Sequence, residues 1–459
     1  MITWTKRATL AALIPLGLAL AAPAGEPPTP QSTAEGDTLV GRPVDLAPRD
    51  YGADWTQFRG PGGTGISDET GLPITWSDNQ GVVWKTPLPG AGASSPITLG
   101  DKIFLTAYSG YGQDMKQPGN QEDLRHHLLC LDRASGKILW NKVSKALLPE
   151  QPYRGWVATH GYSSATPVTD GKAVYAFFGR SGVRAYRLDG EPLWHASVGE
   201  KTHGWGSGAS PILHGGLLVV NASCESNALV ALNKADGKEV WRVNGINSSW
   251  STPAVATLAD GKQELGVPVR GRTLGIDPAT GVQLWQCKSM KDGSCPSVLA
   301  CDGVFYVTGE RPGRTLAIRA GGRGDVTDSH LLWDVPGSPT VSTPLIHKGL
   351  MYWVNDQGVA VCRKVGTGEV VYENRLTFTG RADRPTFAND KVLASLVLAD
   401  GRLYCLGLKG GTRVLALGPA FKLLAANELA DPSLFNATPV PGKGQLLVRS
   451  DKFLYCIGK

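Results

Sequence analysis

The sequence predicts an all-β chain, an eight-bladed β-propeller of four-stranded antiparallel blades whose ring is closed by an N-terminal strand. Three observations predict it. A Pro at the head of a short apolar strand recurs at Pro96, Pro167, Pro211, Pro253, Pro296, Pro344, Pro385 and Pro439. A closing aromatic follows in six copies, at Trp140, Trp194, Trp241, Trp285, Trp333 and Tyr372, with Leu415 in its place in the seventh. The eighth copy runs out after Phe453 to Ile457 without such a residue, and Trp84 stands upstream of all the copies. Self-similarity at a period of about 40 to 50 residues marks a blade-by-blade array.

In chain order, residues 1–24 read as a secretory signal peptide. Lys6 and Arg7 give the charged start, residues 8–21 the apolar stretch, and Ala22-Pro23-Ala24 a small-residue cleavage site. The apolar run is short for a membrane span and Pro15 interrupts it, so the expectation is an exported protein, periplasmic or extracellular, with no transmembrane segment once the signal is cleaved. Residues 25–50, rich in Pro, Thr, Ala and Glu, read as a flexible linker. Within residues 51–459, the propeller proper, an ordered lead-in over 51–81 carries Trp55, Phe58, the Arg59-Gly60-Pro61-Gly62-Gly63 run and Trp76. Residues 82–88 supply the strand and the Trp that the eighth copy lacks, which removes the exposed edges of an open ring.

The third copy shows the blade most plainly. A first strand starts at Ser210-Pro211-Ile212-Leu213, His214-Gly215-Gly216 turns it, and residues 217–220 run back. Residues 228–232 form the third strand, Lys234-Ala235-Asp236-Gly237 the second turn, and Glu239-Val240-Trp241 the fourth strand. Four short strands with Gly/Asp turns in this period describe a propeller blade.

The 46 Lys and Arg against 40 Asp and Glu leave a net charge of +6, too mild an excess for a nucleic-acid partner. Of the eight cysteines, Cys130, Cys362, Cys405 and Cys456 take one repeated place, midway along the third strand. Equivalent places in separate blades are too far apart to bridge, so these read as buried small residues. Cys224, Cys287, Cys295 and Cys301 are irregular, and Cys287 and Cys295 flank one loop and could pair.

The stretch from Leu131 to Trp140, with its Asp132, Gly136, Lys137 and Trp140, closely resembles the repeat of quinoprotein (PQQ-like) propellers. The pattern returns at residues 232–241 and 276–285, and in decayed form at Gly366-Thr367-Gly368-Glu369. The resemblance implies that Trp84, Trp140, Trp194, Trp241, Trp285 and Trp333 are structural, each docking one blade on the next. It extends to two branches. Quinoprotein alcohol dehydrogenases hold a pyrroloquinoline quinone between a Trp and a disulfide of adjacent cysteines, with a calcium or lanthanide beside it. This sequence has no Cys-Cys pair, so no cofactor is expected and the quinone is disfavoured. The other branch is the non-catalytic propeller lipoprotein of the outer-membrane β-barrel assembly machinery.

Function is expected in what the copies do not share. Loops that open on one face carry the departures: the 108–127 insertion, then Trp156, His160 and Tyr162, then His203 and Trp205, then Trp250, with Arg311, Asp383 and Arg384 further round. These are the candidate binding residues. No catalytic carboxylate pair or nucleophile triad is identifiable. The expected function is a non-catalytic, monomeric exported scaffold that binds a protein or extracellular polymer through this face, with Trp156, Trp205 and Trp250 as aromatic anchors. The alternative is an oxidoreductase using pyrroloquinoline quinone or a metal at the channel mouth.

Overall fold

The computed structural model describes residues 54–309, 313–378 and 391–459 and shows eight four-stranded antiparallel blades arranged as an eight-bladed β-propeller. In the third blade Ile212–His214, Leu217–Ala222, Ala228–Asn233 and Glu239–Asn244 pair in that order. The last blade pairs Phe453–Ile457 with Val82–Pro87, placing Trp84 opposite Cys456 and closing the ring. Middle strands such as Lys102–Ser109 and Arg125–Asp132 are buried almost throughout, because blades cover both of their faces. The outer strand Ile138–Lys145 instead alternates partly buried and exposed residues. The signal peptide and the linker predicted from sequence lie outside the described residues. Among the described residues no helix is long and apolar enough to cross a membrane.

Blade docking follows one rule. The indole N–H of Trp84, Trp140, Trp194, Trp241 and Trp333 donates to a turn carbonyl of the next blade, respectively Arg133, Leu188, Lys234, Pro278 and Val365, at 3.0–3.3 Å. The same turns carry a Gly at positive φ on which the ring lies. A Cβ on Gly136 would come within 2.5 Å of Trp84, and one on Gly237 equally close to Trp194. A small residue faces each ring across the strand pair: Cys456, Cys130, Ala185, Ala231 and Ala317. Cys362 faces Tyr372 in the same way. The repeated cysteines are therefore the floor beneath a docking aromatic, and burial pushes the Cys130 and Cys456 thiols up to about 12.

Several sequence readings need correction. Trp285 docks differently, its N–H donating at 2.7 Å to Glu264 of its own blade, because the strand Gly324–Asp325 joins that blade's edge in parallel. Leu415 is not a closing position. It lies in the third strand Thr412–Ala416, and Ala425 in Leu423–Asn427 stands where a Trp would be. Cys405 sits on the second strand, Arg402–Leu406, not the third. No disulfide joins any cysteines, Cys287 and Cys295 included. Pro385 falls outside the described residues, and the innermost strand of that blade begins later, at Val397–Ala399.

The lead-in crosses the inner strands on the side away from their entry loops. Trp55 and Thr98 exchange two bonds at 2.9 Å, Thr169 N–H donates to Thr56 at 3.0 Å, and Leu398 N–H donates to Gly65 at 2.8 Å. Arg59 fastens it. Its fully buried guanidinium donates to the carbonyls of Gly63, Thr64, Thr343 and Pro344, and with no carboxylate beside it burial lowers its pKa to about 9.

Candidate functional site

What recurs at the head of each blade is a hydroxyl rather than a proline. The N–H of Ser95 donates to the hydroxyl of Thr166, Thr166 to Ser210, and Ser210 to Thr252, each at 3.0 Å. A second run links Ser297 to Thr343, Thr343 to Ser395, Ser395 to Thr438, and Thr438 back to Ser95, at 2.9–3.1 Å. These residues form a buried ring around the channel. It is interrupted between Thr252 and Ser297, where Val298 N–H donates instead to Ser251 Oγ at 3.1 Å. The cause is legible in sequence: six heads read Ser/Thr-Pro, the fifth reads Pro296-Ser297 with the order reversed, and the seventh has Ser395-Leu396.

Above the ring the channel widens into a cavity of about 550 Å³, within the range of small-molecule pockets. Phe58 of the lead-in and ring residues line it on one side, and Trp156, His160, His203, Trp205 and Trp250 line its mouth. The aromatics touch one another. Trp205 and Trp250 lie 4.8 Å apart between ring centroids, His203 meets Trp250 edge-on at 4.9 Å, and Trp156 is 6.4 Å from Trp205. Trp250 is fixed by its indole N–H, which donates to Gly206 at 2.9 Å. Trp205 remains 46% exposed, unusual for so large an apolar side chain.

His160 is locked between Ser164 Oγ at 2.5 Å and the Trp205 carbonyl at 2.7 Å, and burial lowers its pKa. His203 accepts from Trp205 N–H through Nδ1 at 3.1 Å, and burial lowers its pKa too. Both imidazoles are thus hydrogen-bonded parts of the rim. Tyr162 is placed elsewhere: its hydroxyl donates to Gln151 at 2.7 Å, and its ring packs among Tyr108, Tyr111 and Tyr153 beneath the insertion. Arg311, Asp383 and Arg384 lie outside the described residues. Sequence reasoning missed the ring hydroxyls, whose Ser/Thr-Pro signal was available. It also missed Asn436, Arg270 and Asp292, for which no repeat position gave a signal.

Behind the mouth, between blades two and three, lies a water-sized cleft of about 30 Å³ lined by Glu150 and Glu225. Burial raises both carboxyls to about 7, and Glu225 lies beside Ser207 and Glu150.

With this geometry the chain can be placed among known proteins. The family model described as "Outer membrane protein assembly factor BamB" matches residues 62–223 and 202–416. The chain belongs to this BamB-type, PQQ-like propeller family. It is 34% identical over 100 residues to the outer membrane protein assembly factor BamB of Salmonella typhimurium strain LT2, a match spanning 21% of this chain and 25% of that protein. Among solved structures, BamB from Moraxella catarrhalis aligns with a TM-score of 0.57 at 13% identity, over 82% of this chain and 97% of that one. A europium-containing methanol dehydrogenase aligns at 0.64 with 11% identity, over 89% and 98%. A computationally designed protein, Ika8, aligns at 0.54 with 10% identity, over 81% and 98%. At such identities the structural likeness speaks for the fold alone, since one fold serves an assembly factor, a dehydrogenase and a design.

The quinone and metal that the resemblance to quinoprotein dehydrogenases implies would need donors on this cavity. The described residues assemble no group of three or more His, Cys, Asp or Glu that could hold a metal ion. Asp292 and Arg270 are the charged side chains on the cavity lining, and no adjacent cysteines flank it. A hard metal ion takes several oxygen ligands, and among the described residues Asp292 is the one carboxylate on that lining.

Proposed function

We propose that this BamB-type propeller is a non-catalytic exported scaffold that captures a protein partner at its loop-rich face. The half-exposed Trp205, backed by Trp156, His203 and Trp250, carries the reading, because large aromatics held rigid at a rim dominate binding energy at protein interfaces. Membership in the assembly-factor family supports a protein partner and an exported location, and the short apolar run before Ala22-Pro23-Ala24 agrees with export.

The test compares the native chain with the double variant His203→Ala, Trp205→Ala in pull-downs from envelope extract, alongside Val240→Ala on the outer rim. One stoichiometric partner should be lost in the double variant and kept in Val240→Ala, with melting temperatures unchanged because His203 and Trp205 are exposed. Partner capture that survives the double variant removes this face from the function. Alcohol-dependent dye reduction after incubation with pyrroloquinoline quinone and Ca²⁺ would overturn the non-catalytic reading.

A further inference from the structure

We infer that the cavity beneath the rim is a saccharide site, taking a neutral pyranose ring at the end of a glycan. The inference rests on the reading of this face as a binding face and adds a ligand to it.

The argument begins with unused hydrogen-bonding capacity. Each linked hydroxyl of the ring accepts a backbone N–H from a neighbouring blade and donates to no protein acceptor among the described hydrogen bonds. A hydroxyl has one proton to give as well as lone pairs. The ring therefore presents O–H donors to the cavity from side chains that are themselves more than nine-tenths buried, such as Thr343 at 2% exposure and Ser395 at 4%. These donors call for a ligand rich in acceptors. A second group calls for the reverse. Asn436 gives its Nδ2 to the Thr159 carbonyl at 2.7 Å, while its buried Oδ1 has no partner, and it lines the same cavity. Asp292, another acceptor, lies on the same lining.

A ligand that satisfies both must donate and accept from the same small body. Sugar hydroxyls do both. A quinone bearing carboxylates offers mainly acceptors and leaves Asn436 Oδ1 unmet. The mouth supplies the remaining complement: Trp156, Trp205 and Trp250 offer flat apolar faces against which the C–H face of a pyranose can lie.

The experiment is a tryptophan-fluorescence titration of the full chain with neutral mono- to tetrasaccharides of glucose, galactose, mannose and N-acetylglucosamine, with pyrroloquinoline quinone as a separate arm. At least one saccharide should give a saturable change. Trp205→Ala should abolish it, and Ser297→Ala should weaken it by about three- to tenfold. Ser297 is chosen because it lies at the interruption of the ring, so its hydroxyl holds no neighbouring N–H and its removal breaks no inter-blade bond. Absence of a saturable change with every saccharide, or saturation by the quinone alone, overturns the proposal. Partner capture by the native chain with no saturable saccharide change overturns this inference alone and leaves the scaffold reading standing.

Discussion

The Trp-on-Gly docking rule is tested most sharply by two glycines of one blade. Gly237 has φ 73° and Gly215 φ 55°, so Ala at either position takes the left-handed cost of about 1–2 kcal/mol. Their surroundings differ. A Cβ on Gly215 would meet nothing within 4 Å, whereas one on Gly237 would lie 2.5 Å from Cε3 and 2.7 Å from Cδ2 of Trp194. Trp194 has little room to retreat, because its indole N–H is bonded to Lys234 at 3.0 Å. Overpacking of this kind adds about 1–3 kcal/mol. Gly237→Ala should therefore destabilise by about 1–3 kcal/mol more than Gly215→Ala, the unfolded-state effect of Gly→Ala cancelling in the comparison. Urea midpoints at matched slopes read the difference. In a Trp194→Ala background the two substitutions should become equivalent. Equal shifts in the native background, or an excess that survives removal of Trp194, would refute the docking rule.

Two further outcomes follow from buried polar groups. His126 is 1% exposed, stacked on Phe178 at 4.8 Å, and burial pulls its pKa to about 3. Between pH 6.5 and about 3 the unfolded chain binds a proton that the folded one refuses, so this group lowers stability as pH falls, by about 2 kcal/mol at pH 5. Glu150 and Glu225, raised to about 7, act in the opposite sense, stabilising the folded state as pH falls from about 7 toward the usual carboxyl range. The measurement is accordingly a difference: the stability of His126→Phe relative to the native chain should rise by about 2 kcal/mol between pH 7 and pH 5, and an unchanged difference would contradict the assignment. Thr343→Val keeps shape but leaves the Ser297 N–H, bonded at 2.9 Å, without an acceptor in a buried ring, and should cost about 1–3 kcal/mol. Protection of the Ser297 amide from hydrogen exchange should fall with it, and unchanged protection would show that the ring bond contributes nothing.

Architecture was legible because each blade repeats the same local problem. Trp140 and Gly136, or Trp241 and Gly237, recur with the turn that needs positive φ, so phase and blade number can be read along the chain. The reading failed where a copy solved that problem differently. Blade seven has Ala425 instead of an aromatic, so Leu415 looked like the closing residue, although the true outer strand begins at Leu423. Trp285 has the right spacing but turns to Glu264, a partner that no repeat position announces.

The candidate site divides the same way. Sequence placed Trp156, His160, His203, Trp205 and Trp250 on loops of one face, and the structure gathers them at one cavity mouth. It placed Tyr162 beside them as well, yet a single Gly161 at φ 72° turns the chain so that the Tyr ring packs under the insertion instead. Asn436, from the last blade, reaches Thr159 only because the ring closes. Sequence by itself determined the blade, its turns and their number, since those depend on residues close in the chain. Tertiary structure decided how the head hydroxyls link into a ring, where the lead-in lies beneath it and how the histidines of the rim are held. Each of these depends on burial and on bonds between blades distant in sequence, and both exist only once the ring has closed.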